Sequence, residues 1–106
     1  MESPIYYKPL DETKEQALAR IHYEKMNLQV SLFMIRADIA DFRYKIEGLK
    51  EAARKSPDER QRRHISHLVA EKYCEIETRS VRERRILEEI ELKDQEYHNA
   101  FIGLKE

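Results

Sequence analysis

Apolar residues in the first half of the chain recur at spacings that alternate between three and four residues. Lys25 is the one polar member of this series, which repeats over about five heptads. Such a repeat is typical of a helix that packs along one face against another helix in a coiled coil. The series, called the first seam, consists of Leu18, Ile21, Lys25, Leu28, Leu32, Ile35, Ile39, Phe42, Ile46, Leu49 and Ala53.

A second apolar series, also spaced by three and four, lies on nearly the opposite side of the same predicted helix. A helix with a single partner should be polar on this side. Leaving Val30, Phe33 and Met34 in water would forgo roughly 1.5–3 kcal/mol for each, so we expect these residues to contact another chain, most simply a second copy. The alternative is that they are ordinary surface residues. The expected contact residues are Tyr23, Met26, Val30, Phe33, Met34, Ala37, Ala40 and Tyr44.

The second half of the chain carries a weaker repeat, interrupted by Ser80, Glu83 and Asp94. The segment 77–85 (ETRSVRERR) is almost wholly polar, and in a hairpin it would lie beside residues 29–37. We therefore expect the second helix to cover no more than one side of the first. The predicted second seam consists of Val69, Tyr73, Ile76, Ser80, Glu83, Leu87, Ile90, Asp94, Tyr97, Phe101 and Leu104.

Prolines and capping residues predict where the helices begin and end. Asp11 is a suitable N-cap, the segment Ser56-Pro57-Asp58-Glu59 reads as a capping box, and Gly103 is a plausible stop. The alternative, one continuous helix bent at Pro57, is disfavoured by the capping box. The predicted elements are an extended or irregular segment at 1–10 and a helical hairpin at 11–106, with helices at 11–54 and 57–102 and a turn at 55–57. The predicted fold is all-α: a long antiparallel two-helix coiled-coil hairpin that completes a four-helix bundle by dimerisation.

The composition narrows the class of protein. The chain has 106 residues, enough for one small domain, and 39% of them are charged. It contains no apolar run long enough for a membrane helix and no apparent secretory signal. With a single cysteine it cannot form an internal disulfide, so we expect a reduced, cytoplasmic protein without a membrane partner.

The net charge of −1 conceals a gradient along the chain. Residues 50–64 hold six basic side chains against three acidic ones, whereas residues 86–106 hold two against six. The basic group could bind nucleic-acid phosphates or an acidic groove on a protein, or it could contact the acidic end of a neighbouring copy. The alternative is that it is simply solvated. Nucleic acid is disfavoured because the chain is not basic overall and no aromatic residues interleave the arginines. This group, called the basic tip, consists of Lys50, Arg54, Lys55, Arg60, Arg62 and Arg63.

One cluster of metal-ligand types lies along the second predicted helix: His64, His67, Glu71 and Cys74. These residue types suit zinc, but a straight helix presents only neighbouring pairs to one ion. The alternative is that they merely flank the second seam. We therefore expect no metal and no cofactor.

Little in the sequence supports catalysis, and we expect no enzyme and no small-molecule substrate. His67 lies two helical turns from Cys74, too far for direct proton transfer, and no rigid loop is available for an oxyanion hole. If a four-helix dimer enclosed a pocket, Arg79 and Arg82 would be the candidates to bind an anionic substrate.

The arginine- and glutamate-rich end of the chain, RRILEEIELKDQEYHNAF, resembles in composition the stalk proteins of flagellar and type III secretion systems. That resemblance covers mostly the last third of the chain and implies an antiparallel coiled coil that binds an export ATPase. The residues themselves favour a non-enzymatic coiled-coil interaction module (a scaffold, adaptor or small chaperone) that binds helical partners or itself through two apolar faces of the first helix. Nucleic-acid association through the basic tip is the alternative.

Overall fold

The computed structural model describes residues 12–105 and shows two helices, α1 (Lys14–Lys55) and α2 (Glu59–Lys105). Residues 12–105 contain no strand, which confirms the all-α prediction. The predicted extended segment at 1–10 lies outside the described residues.

Helix α1 begins with a capping box that the sequence prediction missed. The backbone N–H of Gln16 donates to Thr13 Oγ1 at 3.0 Å, and the backbone N–H of Thr13 donates to Gln16 Oε1 at 3.0 Å. This reciprocal pair satisfies two backbone donors at the start of the helix. Thr13 is therefore the N-cap of α1, and Asp11, predicted for that role, lies outside the described residues.

The connection between the helices is short, but its capping differs from the prediction. Asp58 rather than Ser56 is the N-cap of α2, because Asp58 Oδ1 accepts from the backbone N–H of Arg60 at 3.0 Å. Ser56 Oγ instead accepts from the backbone N–H of Asp58 at 3.3 Å, and the carboxylate of Glu59 pairs with Arg63. The predicted box was wrong because an aspartate, as good a cap as serine, stands next to the first helical residue.

Helix α2 also continues past the glycine predicted to end it. Gly103 has helical geometry, and within the described residues no glycine adopts a positive φ. The carbonyl of Gly103 accepts a hydrogen bond from Lys14 Nζ at 2.5 Å. A lysine from α1 thus supplies a partner for a carbonyl in the last turn, where intrahelical donors are lacking.

The chain divides into two compact units. The hairpin unit, Ser31–Ile86, contains the end of α1, the connection and the first part of α2. The terminal unit pairs the described residues up to Val30 with those from Leu87 onward. In each unit the paired helical segments run antiparallel, because the residue number on α2 falls as that on α1 rises. The contacts that show this are Arg36–Glu83 and Lys50–Tyr73 in the hairpin unit, and Lys14–Gly103 and Glu24–Lys93 in the terminal unit.

The first seam is confirmed, because each of its members is buried or half-buried. Its regular spacing keeps one side of α1 covered, and Lys25 fits the seam because its Nζ reaches Asp94 Oδ1 at 2.5 Å. Isoleucines from both helices dominate the core of the hairpin unit. The buried residues there are Leu32, Ile35, Ile39, Ile46, Ile65, Ile76 and Ile86.

The second seam is displaced by one residue at alternate positions. Five predicted members are exposed: Tyr73, Leu87, Asp94, Tyr97 and Phe101. The side chain of Leu104 is not among those that the structure describes. The residues just before four of them are buried or half-buried instead: Lys72, Ile86, Lys93 and Ala100. Glu96, just before Tyr97, is exposed. At two of these positions a lysine lies in the seam, because lysine buries an aliphatic stem while its charged end reaches water or a partner.

Candidate protein-interaction site

Helix α1 leaves an apolar surface uncovered in the hairpin unit. Phe33 is 74% exposed, Met34 61% and Tyr44 80%, and Ala37 and Ala40 are exposed between them. We call these five residues the outer apolar surface. They lie opposite the first seam, which α2 covers, so the same helix is apolar on a buried and on an exposed side.

The remaining members of the second apolar series belong to the terminal unit. Tyr23, Met26 and Val30 are each about half exposed or more. The structure thus leaves all eight predicted contact residues accessible to a partner. Whether a partner contacts them stays a prediction.

The two edges of the outer apolar surface differ in charge. Arg36 and Arg43 lie along one edge, and Asp41 lies along the other. Arg36 Nε contacts Glu83 Oε2 at 2.7 Å, and Asp41 Oδ2 contacts Lys45 Nζ at 3.1 Å, yet both side chains remain more than half exposed. Arg43 has no ion pair among the described residues.

Phe42 shows how the polar stretch of α2 covers α1 in the hairpin unit. Three cations surround its ring: Arg79 Cζ lies 4.7 Å from the ring centroid, Lys72 Nζ 5.6 Å and Lys45 Nζ 5.9 Å. Arg79 also pairs with Asp38 at 3.5 Å. Cations near aromatic faces are stabilising, so Arg79 covers Phe42 of the first seam from within the segment 77–85 that the sequence analysis described as almost wholly polar.

The seven-residue spacing of Lys72, Arg79, Ile86 and Lys93 is the signal that would have identified these contacts. Arg79, named above as a candidate to bind an anionic substrate, is already engaged within the chain. Its guanidinium contacts Phe42, Asp38 and Glu75. Arg82 is exposed.

Most of the basic tip has partners nearby. Arg62 is half-buried, and its Nη1 donates to the carbonyl of Ser56 at 2.7 Å. Lys50 Nζ donates to Tyr73 Oη at 3.0 Å, and this hydrogen bond raises the pKa of Lys50.

The other basic-tip side chains form pairs within one helix. Arg54 and Lys55 both pair with Glu51, and Arg63 pairs with Glu59 at 3.2 Å. Arg60 is exposed and has no side-chain partner among residues 12–105. Five of the six predicted tip cations are therefore engaged with groups of this chain.

The predicted cluster of metal-ligand types stays spread along α2. His64, His67, Glu71 and Cys74 are all exposed, and His67 Nε2 lies 3.7 Å from Glu71 Oε2. In the part of the chain that the structure describes, no three histidine, cysteine or acidic side chains lie close enough to hold a metal ion. Over the same described residues, neither helix is long and apolar enough to cross a membrane.

The terminal unit contains a small network of ion pairs. Lys93 Nζ contacts Glu24 Oε1 at 2.9 Å and Glu96 Oε1 at 3.2 Å, while Arg20 bridges Glu24 and Glu12. The hydrogen bond from Lys93 lowers the pKa of Glu24, and the same bond raises the pKa of Lys93. These groups join the two helical segments of this unit and bring no reactive arrangement together.

The outer apolar surface is therefore the feature that contacts within the chain leave unexplained. Comparison of the chain with protein-family models, curated proteins and solved structures finds no significant match.

Proposed function

We propose that this protein is a non-enzymatic coiled-coil interaction module that binds a helical partner through the outer apolar surface. The observation that carries the proposal is the exposure of Phe33, Met34 and Tyr44 on a helix whose opposite side is covered by α2. Burying three such side chains in an interface would recover roughly 1.5–3 kcal/mol for each. Scaffolds, adaptors and small chaperones all act through contacts of this kind.

The proposal needs only one apolar side of α1 for the partner. The first seam contacts α2 within the chain, so it is not free for a second protein. The outer apolar surface presents its residues at the spacing with which an amphipathic helix packs against another helix. The apolar side chains would supply affinity, and the charged edges would set orientation and partner choice.

The contacts of the basic tip favour protein binding over nucleic-acid binding. Phosphate recognition depends on cations that are free to approach the backbone of the nucleic acid. Here Arg62 donates to Ser56, and Arg54, Lys55 and Arg63 lie beside carboxylates. The resemblance to secretion stalk proteins remains an alternative in which the partner is an export ATPase.

The proposal is tested by placing a charge on the outer apolar surface. Phe33→Glu should abolish assembly while leaving most of the helix content. Val81→Glu is the matched control, because Val81 is also an exposed apolar residue of the hairpin unit but lies on α2. The measurements are molar mass by light scattering, the set of co-purifying proteins, and helix content by circular dichroism.

We expect wild type and Val81→Glu to behave alike and Phe33→Glu to lose its partner, whether that partner is another protein or a second copy. If Phe33→Glu matches wild type in both mass and co-purifying proteins, the outer apolar surface is not the interface and the proposal fails.

A further inference from the structure

We infer that the partner on the outer apolar surface is a second copy of this chain, packed parallel and in register, with Arg36 of each copy paired to Asp41 of the other. This inference rests on the proposed function and specifies the occupant of the same surface. It follows from the spacing of the apolar residues and from the charge of the two edges.

The apolar residues have the spacing of a coiled-coil interface. Phe33, Ala37, Ala40 and Tyr44 are separated by four, three and four residues. The first seam imposes the same average repeat of 3.5 residues on α1, so the outer residues also remain aligned along one side of the helix. A surface of this kind can pack against an identical surface on a second copy.

The charged edges distinguish the two directions in which the copies could pack. In a parallel pair, each edge of the outer apolar surface faces the opposite edge of the same surface on the partner. A residue on the arginine edge then meets the residue five positions later on the partner's aspartate edge. Arg36 then meets the partner's Asp41, and the pair occurs twice by symmetry. In an antiparallel pair like edges meet, so Arg36 and Arg43 would face the same arginines of the partner.

The side chains are placed for these contacts. Arg36 uses Nε for Glu83, and its guanidinium has further donors for a second carboxylate. Asp41 is 59% exposed, with Oδ2 on Lys45 of its own helix. By the same five-residue offset, Arg43 lies beside the partner's Gly48. Apart from its two chain neighbours and the adjacent backbone of its own helix, no atom of the chain lies within 4 Å of the point where a Cβ of Gly48 would stand. The arginine stem therefore meets no side chain at that position.

Site-specific crosslinking tests the arrangement. Starting from Cys74→Ser, which removes the exposed native thiol, Ala37→Cys and Tyr44→Cys are prepared as separate variants of the full chain. A disulfide requires Cα atoms within about 7 Å of each other. In a parallel, in-register pair, residue 37 of one chain lies beside residue 37 of the other, and residue 44 lies beside residue 44. An antiparallel pair can bring a residue beside the same residue of the other chain at one place along the helix at most.

We expect both variants to form disulfide dimers on mild oxidation, read on a non-reducing gel. Val81→Cys in the same background is the control for random collision and should stay monomeric. Circular dichroism of each variant shows that it is folded before it is oxidised.

Charge reversal tests the Arg36–Asp41 pair independently. Asp41→Arg alone should weaken dimerisation by about two- to tenfold, and adding Arg36→Glu should restore it, because the pair re-forms with its charges exchanged. Dimer affinity is measured by sedimentation. Arg36→Glu alone is the reference for the loss of its contact with Glu83 in the same chain. A double variant that dimerises more weakly than both single variants would contradict the pairing.

The outcomes separate this inference from the proposed function. A monomeric wild type that binds another protein through Phe33 overturns the second copy but leaves the proposed function intact. A dimer that depends on Phe33 but crosslinks at only one of positions 37 and 44, or at neither, overturns the parallel register. If Phe33→Glu behaves like wild type in every assay, both the proposed function and this inference are overturned.

Discussion

Arg62 shows how a single side chain can serve the fold where its type suggests a binding role. The sequence places it in the basic tip, but its Nη1 donates to the carbonyl of Ser56, just beyond the last residue of α1. Carbonyls at a helix C-terminus lack intrahelical donors, and a basic side chain can satisfy them. Arg62 therefore ties the start of α2 to the end of α1.

We predict that Arg62→Ala lowers the free energy of unfolding by about 1–2 kcal/mol. Hydrogen bonds of charged groups contribute roughly 1.5–3 kcal/mol and neutral ones roughly 0.5–1.5 kcal/mol, and Arg62 is only half-buried. Arg60→Ala is the matched control, since Arg60 comes from the same helical turn and its side chain is exposed. Urea unfolding followed by circular dichroism measures both. Equal midpoints for the two variants would show that the contact with Ser56 contributes nothing.

At the same scale, Phe42 explains why the polar stretch of α2 still packs on α1. The predicted second seam contains neither Lys72 nor Arg79, yet both cations lie within 6 Å of the centroid of the Phe42 ring. Their stems bury apolar area, and their charges face the aromatic ring. Predicting which residues of α2 belong to the second seam thus requires knowing which residue of α1 each one faces.

At the scale of the elements, the two helical segments of the terminal unit are joined by Glu24 and Lys93. The pKa of Glu24 is lowered below its ordinary 4.5, so its stabilising contribution is present above pH 4.5 and is lost as the pH falls through the folded-state pKa. The pKa of Lys93 is raised above its ordinary 10.5, so its contribution is present below pH 10.5 and is lost above the raised value.

We therefore predict that Glu24→Gln lowers the urea midpoint at pH 7 and that its difference from wild type shrinks as the pH drops well below 4.5. The reason is that protonated Glu24 can no longer form the ion pair that the variant lacks. Glu89→Gln is the control, because Glu89 is an exposed α2 residue of the same unit with no ion pair in the described structure. A difference for Glu24→Gln that is the same at pH 7 and pH 3 would contradict the assignment.

The helix boundaries were predicted to within three residues, but the caps were not. Two long helices interrupted once near Pro57 follow from the apolar repeat and the rarity of proline and glycine. Several residues near the start of each helix are of types that can serve as an N-cap. Local hydrogen-bond geometry makes Thr13 and Asp58 the caps. Capping is decided by differences of about 1 kcal/mol among such candidates, which a residue pattern does not resolve.

At the scale of the whole molecule, folding and the proposed assembly are linked. A partner that binds only the folded chain stabilises it by mass action, so the stability of a self-associating protein rises with its own concentration. Phe33 is 74% exposed in the outer apolar surface, and a charge there should remove the dependence of stability on concentration.

We predict that raising the protein concentration a hundredfold raises the melting temperature of wild type by several degrees, and leaves that of Phe33→Glu unchanged. Differential scanning calorimetry at both concentrations, with Val81→Glu as control, measures the effect. A wild-type melting temperature independent of concentration would argue against a second copy as the occupant.

The sequence by itself determined the all-α class, the two helices and the complete first seam, because a repeat of threes and fours over many turns is compatible with only one regular structure. It also identified the apolar residues of α1 that α2 does not cover. Tertiary structure decided which residues of α2 take the place of the exposed members of the predicted second seam. There, lysines and arginines enter the seam when a ring or a carboxylate stands opposite, and that depends on the register of the two helices rather than on either helix alone.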